Sequence, residues 1–420
     1  MSVAQATSAA VRPGQEGRRG PLLLLLGALS AIGPLSIDMY LPSLPAIASE
    51  MLSAPAQVQL TLTACLAGIS VGQVIAGPVS DVRGRRVPLI VGVAGFMVAS
   101  LLCAFAPSVP MLIAFRLLQG MLGGAALVIV RAVVRDLYDG AGIARVFATL
   151  MLVSGLAPIL APIAGAQLLA FTSWRGVFVA LSVAGLVLTL AVLPGVRETL
   201  PADRRESGGL KHTVRTFWRL LRDRAFMGYA LTGGLLFGAM FGYISGSPFV
   251  LQEIYGATPQ QFSLIFGLNA LALIGMAQVG GRLSGRVQPL ALVVVGLSTG
   301  LVGAGVLLTA VLTGLGLGGV VTGLFVIMLG LGLVLPGTAA LALASQPAQV
   351  AGTASALAGV LQFALGGMSA PAVGLAGSGT ATPMAAIMLG LVACAALVFV
   401  TLARPWARPA SRAPRVGRWG

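Results

Sequence analysis

The amino-acid sequence predicts an all-α polytopic membrane protein, with twelve transmembrane helices arranged as two pseudo-symmetric bundles of six. Three observations predict this. The 420-residue chain is 57% hydrophobic and only 9% charged, against about 25% in ordinary globular domains, so it lacks the polar residues to cover a water-facing surface. Its apolar residues fall in long runs separated by short polar breaks, each run sufficient to cross a hydrocarbon core about 30 Å thick. The two halves also echo each other 203 residues apart: Gly72, Gly77, Asp81 and Arg83 fall on Gly275, Gly280, Ser284 and Arg286, and Tyr40 and Pro45 on Tyr243 and Pro248.

The runs lie at about 21–41, 57–78, 88–106, 110–130, 146–170, 175–194, 225–250, 262–281, 289–312, 319–344, 351–376 and 382–402. They divide the chain into a tail (1–20), a first bundle (21–194), a polar linker (195–224), a second bundle (225–402) and a C-terminal tail (403–420). Of the 26 basic residues, all but Arg116 and Arg175 fall in the tails and in the loops after even-numbered spans. Basic loops stay in the cytoplasm, so both termini are expected there, in a bacterial inner membrane. RRGPLLLLLGALSA has the basic start and small-residue end of a cleavable leader, but the DMYLP that follows fits a retained first span. Within the linker, KHTVRTFWRLLRDR (211–224) suits an amphipathic helix lying on anionic headgroups.

Composition also excludes classes. The net charge of +15 invites a nucleic-acid reading, but the arginines alternate with apolar spans rather than lining one face. His212 is the only histidine. Cys65, Cys103 and Cys394 sit singly in apolar runs and read as small core residues, with no disulfide or metal spacing. No nucleophile set or carboxylate pair occurs within the spans, so an enzyme is not expected. Neither is a cofactor or metal. The partners implied are the lipid bilayer and a small molecule, with the chain acting as a monomer.

Charge within the spans is then the informative signal. By these boundaries only Asp38 and Arg116 lie inside the membrane, both in its outer half. An ionised side chain there costs about 2.5–3.5 kcal/mol on insertion scales, so it is a functional candidate by default. Proton exchange at Asp38, tuned by a movable relation to Arg116, is the sharp reading. A cap on the turn before Pro42, or a fixed ion pair, is the plain one. Polar and aromatic side chains in the spans supply candidates for a substrate cavity: Tyr40, Gln119, Phe237, Phe241, Tyr243, Asn269 and Gln362. So few hydrogen-bonding groups suit a neutral or amphipathic organic molecule better than a sugar.

Several motifs carry a family resemblance. GQVIAGPVSDVRGRRVP (72–88) resembles the loop signature of major facilitator transporters, with Gly72, Gly77, Asp81, Gly84, Arg85 and Arg86 in its positions. An Asp81 carboxylate there is expected to pair with nearby arginines and with the N-terminal end of the eleventh span, near Gly352 and Thr353, latching the cytoplasmic face. RLLQG (116–120) resembles the fourth-span signature of proton-coupled members. SGLAPILAPIAGA (154–166) resembles the drug-antiporter signature of the fifth span, in which Gly155, Pro158, Pro162 and Gly165 are expected to kink the helix and permit close packing; Ala161 and Ala166 replace two of its glycines. With DMYLPSLP, RDLY (135–138), WRGVF (174–178), ETLP (198–201), YISGSPFV (243–250) and GTASALAGVLQF (352–363), the chain resembles the Bcr/CflA drug-resistance subfamily over about residues 30–400. That resemblance implies a central cavity and export of antibiotics in exchange for protons, with Asp38 and Arg116 as the coupling pair and Asp81 with Arg85 as the gate. An exporter of an endogenous metabolite, a proton-coupled uptake symporter and a non-transporting receptor or scaffold are the alternatives.

Overall fold

The computed structural model describes residues 16–138, 141–201, 218–284, 286–347, 350–375 and 379–403. The tails, His212 and most of the linker, including residues 211–217 of the stretch expected as an amphipathic helix, lie outside the described residues. Among those described, twelve segments are long and apolar enough to cross a membrane. The first combines α1 (Glu16–Asp38), a 3-10 turn (Leu41–Ser43) and α2 (Leu44–Glu50). The rest of the first half is α3 (Pro55–Arg83), α4 (Arg86–Ala104), α5 (Val109–Leu137), α6 (Ala141–Leu169) and α7 (Trp174–Gly195). The second half is α8 (Arg224–Pro248, continued by a π-helical turn, Phe249–Ile254), α9 (Pro259–Leu283), α10 (Pro289–Leu312), α11 (Gly316–Ala344), α12 (Ala351–Leu375) and α13 (Thr382–Val398, with a π-helical turn to Ala403).

Local sequence sets many of these limits. Proline stands in the first turn of α3, α5, α9, α10 and α13, where its missing N–H costs nothing. Thr258 and Gln261 form a reciprocal capping box on α9, with bonds of 3.2 and 2.9 Å. Asp223 caps α8 by accepting from the Phe226 amide at 2.9 Å. Gly84 ends α3 at φ 89°, a backbone region that side chains with a Cβ avoid.

Packing repeats across the halves as the internal echo predicts. α3 lies on α5 as α9 lies on α11, α4 on α7 as α10 on α13, and α1 on α6 as α8 on α12; the halves meet along α3 with α12 and α6 with α9. Lipid offers no hydrophobic drive between helices, so close approach depends on small residues. The α3–α5 seam shows this from both sides: a Cβ on Gly68 or Gly72 would run into the Leu117 or Met121 carbonyl, and one on Gly120 or Gly124 into the Cys65 or Ile69 carbonyl. Gly72 thus permits the close helix approach expected of the motif's glycines. Gly77 meets nothing within 4 Å.

Several spans run longer than expected. α5 continues to Leu137 over 29 residues, about 43 Å at 1.5 Å per residue. Arg131, read from the sequence as a loop charge, thus lies within the helix. Cys65 and Cys103 are buried as expected, whereas Cys394 is exposed. Replacing Gly120 with Val should overpack the α3–α5 seam and cost about 1–3 kcal/mol, seen as a lowered Tm of the purified protein, while the same change at open Gly77 should leave Tm close to that of the parent.

Candidate functional site

Between the halves lies a cavity of about 290 Å³. Its two walls differ. The second half supplies aromatic rings: Phe237 lies 4.9 Å from Phe241 and 5.6 Å from Phe363 between centroids, and Tyr243 stacks on Phe266 at 5.4 Å. The first half supplies aliphatic side chains, Gln73 and the two charged groups of the lining, Asp38 and Arg131. A mainly apolar, aromatic lining with a few polar groups is the usual character of a small-molecule site.

The cavity is closed at one end. There the halves are joined by Gln59 Nε2 donating to the Ser245 carbonyl (3.0 Å), Thr63 Oγ1 to Gly367 (2.8 Å), Gln252 Nε2 to Pro42 (3.2 Å), Gln260 Nε2 to Ala166 (3.2 Å) and Ser263 Oγ to Pro162 (2.9 Å). All lie toward the end opposite the arginine-rich loops. Toward the arginine-rich end the lining includes Gln73, Leu127 and Arg131.

Asp38 is the last residue of α1, only 5% exposed, and lines the cavity. Among the described residues no hydrogen bond or ion pair engages its carboxylate, and it caps no turn. The break after it is held from three directions. Gly165 of α6 lies so close that a Cβ would strike the Met39 carbonyl. Tyr40, fully buried, shares a 2.7 Å hydrogen bond with Thr61 of α3. The Arg116 guanidinium stands 4.4 Å above the Tyr40 ring and 5.6 Å from the Phe178 centroid, a desolvated cation–π arrangement. Arg116 Nη1 donates to Gln119 Oε1, whose Nε2 donates to Ser100 at 2.7 Å.

These placements revise the sequence-based site. Asp38 and Arg116 form no ion pair; Arg116 reaches Asp38 only through Tyr40, two residues on. Phe237, Phe241 and Tyr243 line the cavity, whereas Tyr40, Gln119 and Asn269 are fully buried behind it. Asn269 Nδ2 donates to the Tyr243 hydroxyl at 2.9 Å and so orients a cavity residue. Gln362 sits beside Gly233, outside the lining, while its neighbour Phe363 is in it. Of the residues expected to kink α6, Pro158 lines the cavity, Pro162 receives a cross-half bond, Gly165 seats the α1 break and Gly155 is loosely packed. Gln73 and Arg131 were missed as cavity residues.

The expected gate forms a cluster within the first half. Arg85, 4% exposed, donates to Asp81 (2.5 Å), Asp136 (3.0 Å) and Ser80 (2.8 Å). Glu198 accepts the backbone amides of Arg85 (2.7 Å), Arg86 (3.2 Å), Thr199 (3.1 Å) and Leu200 (3.0 Å). Arg86 donates to the Leu193 carbonyl at 2.9 Å, and Thr199 to Asp136 at 3.0 Å. No bond from Asp81 to α12 is among those described. Burial opposes the Arg85 charge, but Asp81 and Asp136 outweigh it and hold the guanidinium above its ordinary value. Burial alone would push the Glu198 carboxyl up; the backbone amides around it outweigh that and hold it below the usual range. Asp136 and Glu198 stand in RDLY and ETLP, motifs visible in the sequence whose mutual contact was not. In the second half the hydroxyl of Ser284, at the Asp81 position, donates to the Gly281 carbonyl at 2.7 Å.

Two six-helix bundles around a central cavity are the arrangement of a membrane transporter of small molecules. The Major Facilitator Superfamily sequence profile matches residues 26–371, and the chain belongs to that family. It is 42% identical over 385 residues to an uncharacterized MFS-type transporter of Bacillus subtilis, covering 91% of this chain and 95% of that one. It is 30% identical over 381 residues to a bicyclomycin resistance protein homolog of Haemophilus influenzae, covering 90% and 95%. In fold it resembles a bacterial homolog of the lysosomal transporter Spinster in an inward-facing, occupied conformation, with TM-score 0.73, 16% identity and coverage of 93% and 96%.

Because the folded Glu198 carboxyl is held low, its stabilisation is complete above the ordinary glutamate value of about 4.3 and is lost as pH falls through the lower folded value. Glu198→Gln should therefore reduce Tm near neutral pH and flatten the acid side of the Tm-against-pH curve.

Proposed function

We propose that this chain is a proton-coupled exporter of small amphipathic molecules, antibiotics among them, working by alternating access in a bacterial inner membrane with both termini in the cytoplasm. The observation that carries this reading is Asp38: a carboxyl on a helix break, out of bulk water, without a partner among the described residues, at the closed end of an aromatic cavity. The similarity to a bicyclomycin resistance protein homolog supports export of a drug-like molecule. On this reading the basic loops lie in the cytoplasm, and the cross-half bonds at the opposite end close the periplasmic side.

In this cycle substrate enters from the cytoplasm onto the aromatic wall, and the halves rock to open the far side. Asp38 then meets the periplasmic solution, takes up a proton as substrate leaves, and releases it inward on return. At 100 mV each inward proton supplies about 2.3 kcal/mol before any pH difference. Arg116 acts as a positioning residue that fixes Tyr40 and with it the end of α1. The Asp81–Arg85–Asp136–Glu198 cluster holds the cytoplasmic ends of the first bundle as one body.

Proteoliposomes under an imposed pH gradient test the mechanism. Asp38→Asn should abolish gradient-driven accumulation of an exported drug with Tm unchanged; full accumulation in that variant removes Asp38 from the cycle. Accumulation under the gradient of opposite sign would identify uptake symport. Asp81→Asn should slow turnover severalfold with little change in KM, and loss of binding with turnover kept would overturn the gate assignment.

A further inference from the structure

Arg131 and Gln73 are the polar residues of the first-half wall nearest the arginine-rich end. Both line the cavity from the first half, and among the described residues no hydrogen bond or ion pair engages either side chain. Arg85, Arg86, Arg116 and Arg175, by contrast, each touch a carboxylate, a carbonyl, an amide or a ring. Arg131 is exposed rather than buried, and at the cavity wall its guanidinium stays available to a ligand.

Its place along the cavity gives the role. Arg131 lies six residues before the end of α5, about 9 Å from the arginine-rich end at 1.5 Å per residue. Asp38 ends α1 at the opposite, closed end. A molecule entering from the arginine-rich end would pass Arg131 first and Asp38 last, with the aromatic wall beside it. The guanidinium is a donor only, always charged, and suited to carboxylate, nitro, carbonyl or sulfonyl oxygens. With Asp38 ionised, the two charges of the lining cancel; with Asp38 protonated, Arg131 leaves a net positive cavity. In neither condition does the mouth favour a cation.

We propose that Arg131, assisted by Gln73, is the specificity anchor of this cavity. It takes the acceptor-rich group of a neutral or anionic aromatic molecule, the rings of Phe237, Phe241 and Phe363 hold the apolar body, and lipophilic cations are turned away. The volume of about 290 Å³ limits the ligand to the small end of the drug range. This inference rests on the cavity being the transport site, and the test separates the two.

Purified full-length protein in lipid nanodiscs is dialysed against tritiated chloramphenicol, a neutral, acceptor-rich nitroaromatic, and against tritiated tetraphenylphosphonium, an aromatic cation. The parent should bind the first more tightly than the second. Arg131→Gln should weaken chloramphenicol binding by about tenfold or more, the range of one lost charged hydrogen bond, and narrow the preference between probes. Arg131→Lys, which keeps the charge, should keep the discrimination against the cation. A parent that prefers the cation, a parent that binds neither probe, or an Arg131→Gln protein that binds both as the parent does would each overturn the proposal. Gradient-driven transport by the same proteins is scored separately: export by the parent that fails in Asp38→Asn yet is unaffected by Arg131→Gln sustains the transport reading and sinks the anchor.

Discussion

The structure depends on how one helix break is held. After Asp38 the first span leaves α-helical geometry, turns through Leu41–Ser43 and resumes as α2. Inside a membrane a break exposes backbone groups that water cannot satisfy, so neighbouring protein must close over it. Here α6 approaches through Gly165 until its backbone bars any larger side chain, Thr61 holds the Tyr40 hydroxyl, and the Arg116 guanidinium covers the Tyr40 ring. The carboxyl of Asp38 is thereby fixed at the cavity wall while needing no partner of its own. Arg116 contributes as packing and charge beside a ring, which explains why it stands near the acid in sequence logic yet forms no bond to it.

The two halves share a packing scheme but divide the chemistry. The first half carries Asp38, Gln73 and Arg131, and its loop between α3 and α4 is tied by the Arg85 cluster. The second half carries the aromatic wall, and Ser284 stands where Asp81 would be. Charges gathered on one bundle keep their mutual geometry when the bundles move as bodies. An aromatic face on the other can slide against a ligand without losing directional bonds, since ring contacts tolerate offset.

Much of this was legible in the sequence because it is written in periodicity and spacing. The spans, the six-plus-six plan, the Asp81–Arg85 contact and the buried placement of Asp38 follow from hydropathy, the internal echo and a quoted motif. What was not legible has physical causes. Arg131 looked like a loop charge because hydropathy ends a span where polar residues begin, while α5 runs on to Leu137 beyond the apolar stretch. Tyr40, Gln119 and Asn269 looked like cavity residues because a polar side chain in a span satisfies itself equally well against a ligand or against another helix; only the pairing of Asn269 with Tyr243 and of Gln119 with Arg116 and Ser100 decides. Glu198 and Asp136 were hidden for a third reason. Their partner, the loop around Arg85, is distant in sequence, and no local pattern announces a contact across some 50 to 113 residues.

The closed end shows how such a molecule can both hold a state and leave it. The bonds joining the halves there pair neutral donors with backbone carbonyls, and none joins opposite charges. Each such bond is worth about 0.5–1.5 kcal/mol net, so together they amount to a few kcal/mol, the size of gap that separates interconverting conformers. Charged latches across the same seam would add more on release, since each broken pair leaves a desolvated ion behind. The strong electrostatics of this chain are instead spent inside the first bundle, on Arg85 and Glu198, where they stiffen a body without locking it to its partner. On the proposed cycle, the work of one proton moving down a membrane potential is then commensurate with what must be broken. On that cycle, a seam of a few weak, neutral bonds between the two halves is the arrangement that would let a single carboxyl bias the exchange.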